Sequence, residues 1–218
     1  EHELLVLGED GGVLATVETP EPLWVAVAGL GRRIAIGTAS GVRVVERGGQ
    51  QVSSYSGESE SGALSEDGEW LAFEQSTDAE PRLVITRADA GEPAARGFPV
   101  SPGTALTFSP DGRWLAHVAA DRLQVFALGN ELRLAFQRTP PNGNRWRDAA
   151  FDARGELVAG RIRIDKPLHE LVEAGEPRRL GGVAQIAVES LSPTGEVLRT
   201  KEWPVELWSA RSPELAIE

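Results

Sequence analysis

The sequence predicts an all-β fold of repeated four-stranded antiparallel sheets. A glycine-centred turn motif recurs about every forty residues, and apolar residues alternate on both sides of each turn. Pro and Gly interrupt the chain too often for long helices, and only Leu168–Ala174 reads as a helical turn. Four short strands in about forty residues is the size of one β-propeller blade. We therefore expect a β-propeller of about five to six four-stranded blades.

The turn motif has five copies that align on one glycine. These glycines, which follow one another at intervals of 37, 44, 43 and 40 residues, are Gly31, Gly68, Gly112, Gly155 and Gly195. Each copy has an apolar residue four positions before the glycine and another three positions after it. Asp-Gly and related pairs supply the positive φ that tight hairpin turns require. Each copy therefore predicts a β-hairpin.

A small residue follows the second apolar position in four copies. These residues are Ala35, Ala72, Ala116 and Ala159, whereas the fifth copy has Arg199. A repeated alanine suits strands that pack face to face near a crowded axis, because larger side chains would force the sheets apart. Trp70 and Trp114 also occupy equivalent positions, which predicts that they pack between blades.

The repeat divides a single predicted domain, residues 1–218, into parts. They are an outer half-blade at 1–22 and blades at about 23–60, 61–101, 102–140, 141–182 and 183–218. The half-blade has two strands, His2–Leu7 and Val13–Glu18, and lacks an inner pair. A ring that does not close exposes sheet edges. Either some blades are irregular, or the ring is incomplete, or another segment or chain closes it.

One segment resembles a known family of repeats. From Ser109 to Ala116 the chain reads Ser-Pro-Asp-Gly-Arg-Trp-Leu-Ala, which resembles the signature segment of bacterial WD-repeat and TolB-like propellers. Pro204–Ala210, with Trp208, resembles the third strand of a WD repeat. The resemblance covers about residues 23–218, and the repeats are degenerate because Ser209 stands where the strict family has Asp. No Gly-His pair opens any repeat.

The resemblance implies a non-catalytic protein-interaction, scaffold or sensor domain of a larger bacterial multidomain protein or complex. Two alternatives stay open: a TolB-like propeller of the envelope or one associated with a peptidase, and a metal-dependent propeller hydrolase. The expected partner is a protein, and a second chain or segment that completes the ring is one form of it. We expect a cytoplasmic location, with the periplasm as the alternative.

Composition disfavours several other classes of function. The net charge is −11, from 22 basic and 33 acidic residues, which disfavours binding to nucleic-acid phosphates. No apolar run is long enough for a membrane span. The absence of cysteine excludes disulfides and thiolate metal sites. Because the chain also contains no methionine, even at its first position, we expect it to be part of a longer translation product.

No catalytic, cofactor or metal site is predicted. The three histidines, His2, His117 and His169, occupy non-equivalent positions of the repeat, and we expect His117 to pack inside a second strand. The Asp-Gly turns carry too few oxygen ligands for calcium. Residues 29–31 read Gly-Leu-Gly but lack the third glycine and the helix of a dinucleotide motif. The chain is therefore predicted not to be an enzyme, although a catalytic domain could lie elsewhere in the parent protein.

The candidate partner-binding site is a basic patch that contains tryptophan. We expect Asn142–Asp148 to connect two blades on the funnel face of the propeller. Trp and Arg are enriched in the hot spots of protein interfaces. The predicted partner-binding residues are Arg145, Trp146, Arg147, Arg161, Arg163, Lys166, Trp203 and Trp24. The alternative is that Trp146 caps its own blade and the arginines are solvated.

Overall fold

A computed structural model describes residues 2–7, 11–29, 31–76, 81–90, 96–129, 131–164 and 181–208, with backbone alone at 96, 104, 164, 181–184 and 204–208. All regular elements of these residues are β-strands. The strands are β1 (His2–Leu7), β2 (Val13–Thr19), β3 (Pro22–Ala28), β4 (Arg33–Thr38), β5 (Gly41–Glu46), β6 (Gln51–Ser56), β7 (Ser61–Leu64), β8 (Trp70–Gln75), β9 (Arg82–Arg87), β10 (Arg96–Pro99), β11 (Gly103–Phe108), β12 (Trp114–Ala119), β13 (Arg122–Ala127), β14 (Arg133–Arg138), β15 (Asn144–Phe151), β16 (Leu157–Ile164), β17 (Gly181–Leu191) and β18 (Val197–Trp208). The predicted helical turn, Leu168–Ala174, lies outside the described residues.

The strands form antiparallel sheets in chain order. We name the two-stranded sheet β1–β2 the half-sheet, and the four-stranded sheets β3–β6, β7–β10, β11–β14 and β15–β18 sheets 1 to 4. Consecutive sheets pack face to face through buried apolar side chains. This succession of stacked four-stranded meanders is the arrangement of a β-propeller and confirms the predicted fold class.

The alanines that recur in the sequence repeat lie where consecutive sheets pack against each other. Ala35, Ala72, Ala116 and Ala159 are each 0% exposed. The large apolar residues that precede two of these alanines, Leu71 and Leu115, are also fully buried. The prediction that the alanines lie between closely packed sheets is confirmed. Trp70 and Trp114 are half-buried against the cores between sheets 2 and 3 and between sheets 3 and 4, respectively, also as predicted.

The turn motif builds the first hairpin of each full sheet. In sheet 2, the N–H of Gly68 (φ 71°) donates to the carbonyl of Ser65 at 2.8 Å. The Ser65 hydroxyl accepts from the N–H of Trp70 at 2.9 Å and donates to Asp67 Oδ1 at 2.5 Å. The same contacts recur in sheet 3 at Ser109, Asp111, Gly112 and Trp114. The side chains of the motif thus close the turn that its glycine permits.

The two predicted blades at 141–182 and 183–218 are one sheet, which corrects the predicted division. In sheet 4 the turn at Gly155 joins the first pair of strands, β15 and β16, and the turn at Gly195 joins the last pair, β17 and β18. Both glycines donate to the residue three positions earlier at 2.9 Å, so the motif marks a hairpin and not a blade. The described residues therefore form four full sheets and the half-sheet. Pro204 to Trp208 also lies in β18, the fourth strand of its sheet, and not in a third strand.

The half-sheet packs on β4 and β5, the two middle strands of sheet 1. Val17 of β2 packs on Ile34 and Ile36 of sheet 1. Arg43 Nη2 of β5 donates to the carbonyl of Glu18 in β2 at 2.8 Å. Leu23, Val25 and Val27 of β3, the first strand of sheet 1, remain exposed on the face opposite to sheet 2. Within the described residues β1 pairs with β2 alone, as the predicted half-blade requires.

Candidate functional site

Trp146, the centre of the predicted patch, is fully buried. Its side chain is 0% exposed and packs with Ala149 and Leu157 against sheet 3. The segment predicted as a connection is strand β15, in which alternate residues point to opposite faces. The alternation of Arg, Trp and Arg places the indole on the face that meets sheet 3. The prediction that Trp146 is presented to a partner is therefore wrong, and its alternative, that this residue caps its blade, fits the structure.

The two arginines beside Trp146 are exposed on the edge strand β15. Arg145 lies on the face of sheet 4 opposite to Trp146, because the residues are adjacent in one strand. Arg147 lies where the pairing of β15 with β16 shifts register, between Trp146 and Asp148. Both arginines keep the exposure expected of a binding surface, but they do not frame an exposed indole.

Arg161 is the centre of an ion-pair network between sheets 3 and 4. Its Nε lies 2.9 Å from Glu189 Oε1, and its Nη2 lies 2.9 Å from Glu202 Oε1. Its Nη1 donates to Asn144 Oδ1 at 2.8 Å. Arg138 Nη2 of sheet 3 lies 3.5 Å from Glu189 Oε2. With its side chain 11% exposed and its guanidinium occupied by these partners, Arg161 serves the fold.

Two basic residues of the predicted site remain, Arg163 and Lys166. Arg163 is half-buried in β16, where it pairs in register with Asn144. Lys166 lies outside the described residues. The described members of the predicted basic patch are therefore not assembled as one surface.

Trp24 packs between sheets 1 and 2, far along the stack from Trp146. Its Nε1 donates to both the carbonyl and the hydroxyl of Ser59, each at 3.1 Å. Its ring lies over Gly37 and Gly62, where any Cβ would overlap the indole. Trp24 is therefore a half-buried packing residue and does not join the predicted patch.

Trp203 is the predicted aromatic residue that remains accessible. It is 39% exposed on β18, and Lys201 Nζ lies 5.0 Å from the centre of its ring. The register of sheet 4 places Arg145, Ile162, Ile186 and Trp203 in one row across the four strands. Since paired residues of antiparallel strands share a face, this row lies on the side of sheet 4 that faces away from sheet 3.

A buried acid–histidine pair was not predicted. Glu74 Oε1 of sheet 2 lies 2.9 Å from Nε2 of the fully buried His117 of sheet 3, and Glu74 Oε2 accepts from the N–H of Gly103 at 2.9 Å. Burial alone would raise the pKa of the Glu74 carboxyl. Hydrogen bonds from His117 and Gly103 outweigh that effect and hold the pKa of Glu74 below its ordinary value. The prediction that His117 packs inside its strand is confirmed, but its partner comes from a different repeat.

The described residues hold no group of three or more His, Asp or Glu side chains placed to bind a metal ion. Within the same ranges, no helix is long and apolar enough to cross a membrane.

Large exposed apolar side chains concentrate at the two ends of the stack. At the first end they are Leu5, Leu7, Val13, Leu14, Leu23, Val25 and Val27, and at the last end they are Val197, Leu198 and Trp203. Leu134 in β14 is a further exposed apolar residue between the ends. Each end presents a sheet face of the kind that is covered by a neighbouring sheet elsewhere in the stack.

Comparison with known proteins identifies the fold but no family. No protein-family profile and no curated protein matches the sequence. Among solved structures, hydrazine synthase of Kuenenia stuttgartiensis is similar over 94% of this chain and 60% of its own, with 14% identity and a TM-score of 0.61. The complex of KlAtg21 with the coiled coil of AgAtg16 contains a chain that is similar over 91% of this chain and 76% of its own, with 12% identity and a TM-score of 0.57.

A eukaryotic initiation factor is also similar, over 88% of this chain and 48% of its own, with 14% identity and a TM-score of 0.53. This chain thus spans 60% of the hydrazine synthase chain and about half of the initiation factor chain. At 12–14% identity these likenesses show the fold alone.

Proposed function

We propose that this chain is a non-catalytic, cytoplasmic protein-interaction propeller of a larger bacterial protein or complex. Its protein partner adds β-strands to the half-sheet and so completes the first blade. The observations that carry this proposal are that β1, within the described residues, pairs along one edge only, and that three apolar residues of β3 in the neighbouring sheet remain exposed: Leu23, Val25 and Val27.

The free edge of β1 offers backbone groups for strand pairing. The half-sheet has two strands where each of the following sheets has four. An unpaired edge presents a row of N–H and C=O groups, and addition of a partner strand is a recurring mode of peptide recognition. Because the half-sheet already packs on sheet 1, strands added beside β1 can extend it over the uncovered face of β3.

The adjacent face of β3 offers apolar area for the same strands. Leu23, Val25 and Val27 are 46%, 41% and 60% exposed, and their alternation places them on one face. The intervening residue Trp24 points to sheet 2. Burial of apolar surface is worth about 25 cal/mol per Å². Strands paired with β1 would cover these three side chains and gain both backbone hydrogen bonds and apolar burial.

The charge of this region indicates the chemistry of the partner strand. The first 31 residues contain no Lys or Arg, and their acidic residues are Glu1, Glu3, Glu9, Asp10, Glu18 and Glu21. Complementary charge steers association and disfavours partners of like charge. The favoured partner segment therefore has apolar residues that alternate with basic or neutral polar ones.

A synthetic β-hairpin tests strand addition. The probe has alternating Val and Lys residues around an Asn-Gly turn. Hydrogen exchange is measured with and without saturating probe, and we expect slower exchange in residues 2–7 and 22–28. Val25→Glu should abolish this effect because it places a charge under the added strand. Leu134→Glu, at a residue that is 43% exposed on a different strand, is the matched control. Unchanged exchange in residues 2–7, or equal binding by the Val25→Glu variant, would overturn the proposal.

A further inference from the structure

Within the described residues, only one of the two faces of sheet 4 packs against another sheet. The inner face, which carries Trp146, Ala159 and Leu191, packs on sheet 3. The opposite face, which we name the end face, carries the row Arg145, Ile162, Ile186 and Trp203 and the paired residues Val188 and Lys201.

The end face combines aliphatic side chains with basic ones. Ile162, Ile186 and Val188 are half-buried, and Trp203 is 39% exposed beside Lys201. Arg145 lies at one margin of the face, in β15. Lys201 lies at the other margin, in β18, and Arg199 lies in the same strand, two residues before it. The basic groups therefore flank an apolar centre.

The first end of the stack presents a face of opposite charge. Leu4, Val6 and Val17 of the half-sheet point to sheet 1, so the alternate residues point outwards. The register pairs Glu3 with Glu18, and Leu5, which is 50% exposed, with Thr16. We name this surface, defined by Glu3, Leu5, Thr16 and Glu18, the start face.

We propose that a second copy of this chain binds head to tail, with the start face of one copy on the end face of the other. The contact repeats the face-to-face stacking that joins every pair of consecutive sheets within the chain. Glu3 and Glu18 meet a face that carries Arg145 and Lys201, while Leu5 meets its apolar centre. Two start faces, or two end faces, would place like charges together, which disfavours a symmetric two-fold contact.

A head-to-tail contact is heterologous, so it generates a ring if the rotation closes and an open assembly if it does not. The contact also goes beyond strand addition, which uses the free edge of β1 and the exposed face of β3. The start face lies on the outer side of the half-sheet and remains available in either case.

Sedimentation velocity at low salt tests the inference with two variants, each of which disables one face. The start-face variant is Leu5→Lys with Glu18→Lys, and the end-face variant is Lys201→Glu with Trp203→Glu. We expect the wild type to associate with increasing concentration and each variant alone to remain monomeric. An equimolar mixture of the two variants should form a one-to-one dimer and nothing larger, because a single intact contact remains between them.

The controls separate this contact from strand addition and from misfolding. Leu134→Lys changes an exposed apolar residue outside both faces and should associate like the wild type. Val25→Glu should still associate, and the end-face variant should still bind the hairpin probe. Matching circular dichroism of all variants establishes that they fold. A wild type that is monomeric at about 0.1 mM, self-association of either variant alone, or a mixture that stays monomeric would each overturn the inference.

Discussion

Glu74 of sheet 2 and His117 of sheet 3 are joined across the boundary between their sheets, with 2.9 Å between Oε1 and Nε2. The carboxylate also receives the N–H of Gly103, so both of its oxygens have a partner although the group is largely buried. A buried polar pair of this kind contributes to stability only while each group stays satisfied. The boundary between sheets 2 and 3 therefore depends on the protonation of Glu74.

The lowered pKa of Glu74 predicts a loss of stability in acid. A carboxyl whose pKa is lower in the folded state stabilises the fold at pH values above its ordinary pKa, and this contribution disappears as pH falls through the folded-state pKa. Glu74→Gln removes this contribution. Urea unfolding should give a difference in unfolding free energy between the wild type and Glu74→Gln that is large at neutral pH and smaller near about pH 3. A difference that stays constant with pH would contradict the assignment.

Gly103→Ala should destabilise the protein because a methyl group has no space beside the pair. A Cβ at this position would overlap Glu74 Oε1, which must then shift from His117. We expect a loss of about 1–3 kcal/mol in thermal or urea unfolding. Gly129→Ala is the matched control, since a Cβ there meets nothing within 4 Å. Equal stability of the two alanine variants would exclude the close packing around Glu74.

Trp146→Ala should act on stability, in contrast to the role predicted from its sequence context. Removal of a fully buried indole from the boundary of sheets 3 and 4 should cost about 3–5 kcal/mol. Arg145→Glu, at the exposed neighbouring residue, should change stability by less than about 0.5 kcal/mol. Melting curves of the two variants test this contrast. A Trp146→Ala variant with wild-type stability would show that the indole is not buried.

The pair of Arg138 and Glu189 should be energetically coupled across the same boundary. Glu189 is 5% exposed and also pairs with Arg161, so truncation of one partner leaves a buried charge incompletely paired. A double-mutant cycle of Arg138→Met and Glu189→Gln should give a coupling of about 1–3 kcal/mol. The exposed pair of Arg87 and Glu69 is the control and should give less than about 1 kcal/mol. Similar couplings for both pairs would contradict the importance of burial.

Features set by short stretches of sequence were predicted well. The turn at Gly112 and the buried Ala116 follow from local turn chemistry and from alternation along one strand. The limits of β1, His2–Leu7, were also predicted without error. Such features depend on residues that lie close together in the chain.

Features set by contacts between sheets were not predictable in the same way. The partner of Glu74 lies 43 positions away in the next sheet, and no local pattern links the two residues. Trp146 was assigned to a connection because it lies between a predicted outer strand and the next inner strand, although its alternation with Arg145 and Arg147 fits a strand with one buried face. The turn at Gly195 matched the motif of the other turns, so the sequence did not reveal that it closes the last hairpin of sheet 4. The acidic and basic faces at the two ends become visible only when strand register is known.

The stacking of each sheet on its immediate neighbours has a consequence for how the protein unfolds. The stability of such a stack is the sum of an intrinsic free energy for each sheet and an interaction free energy for each pair of neighbouring sheets. Thermal unfolding therefore need not be all-or-none. The half-sheet and sheet 4, at the two ends of the stack, each pack on one neighbouring sheet and should unfold first. Amide exchange is then expected to be slowest in the middle of the series, around β8 and β12, and to become progressively faster towards both extremities.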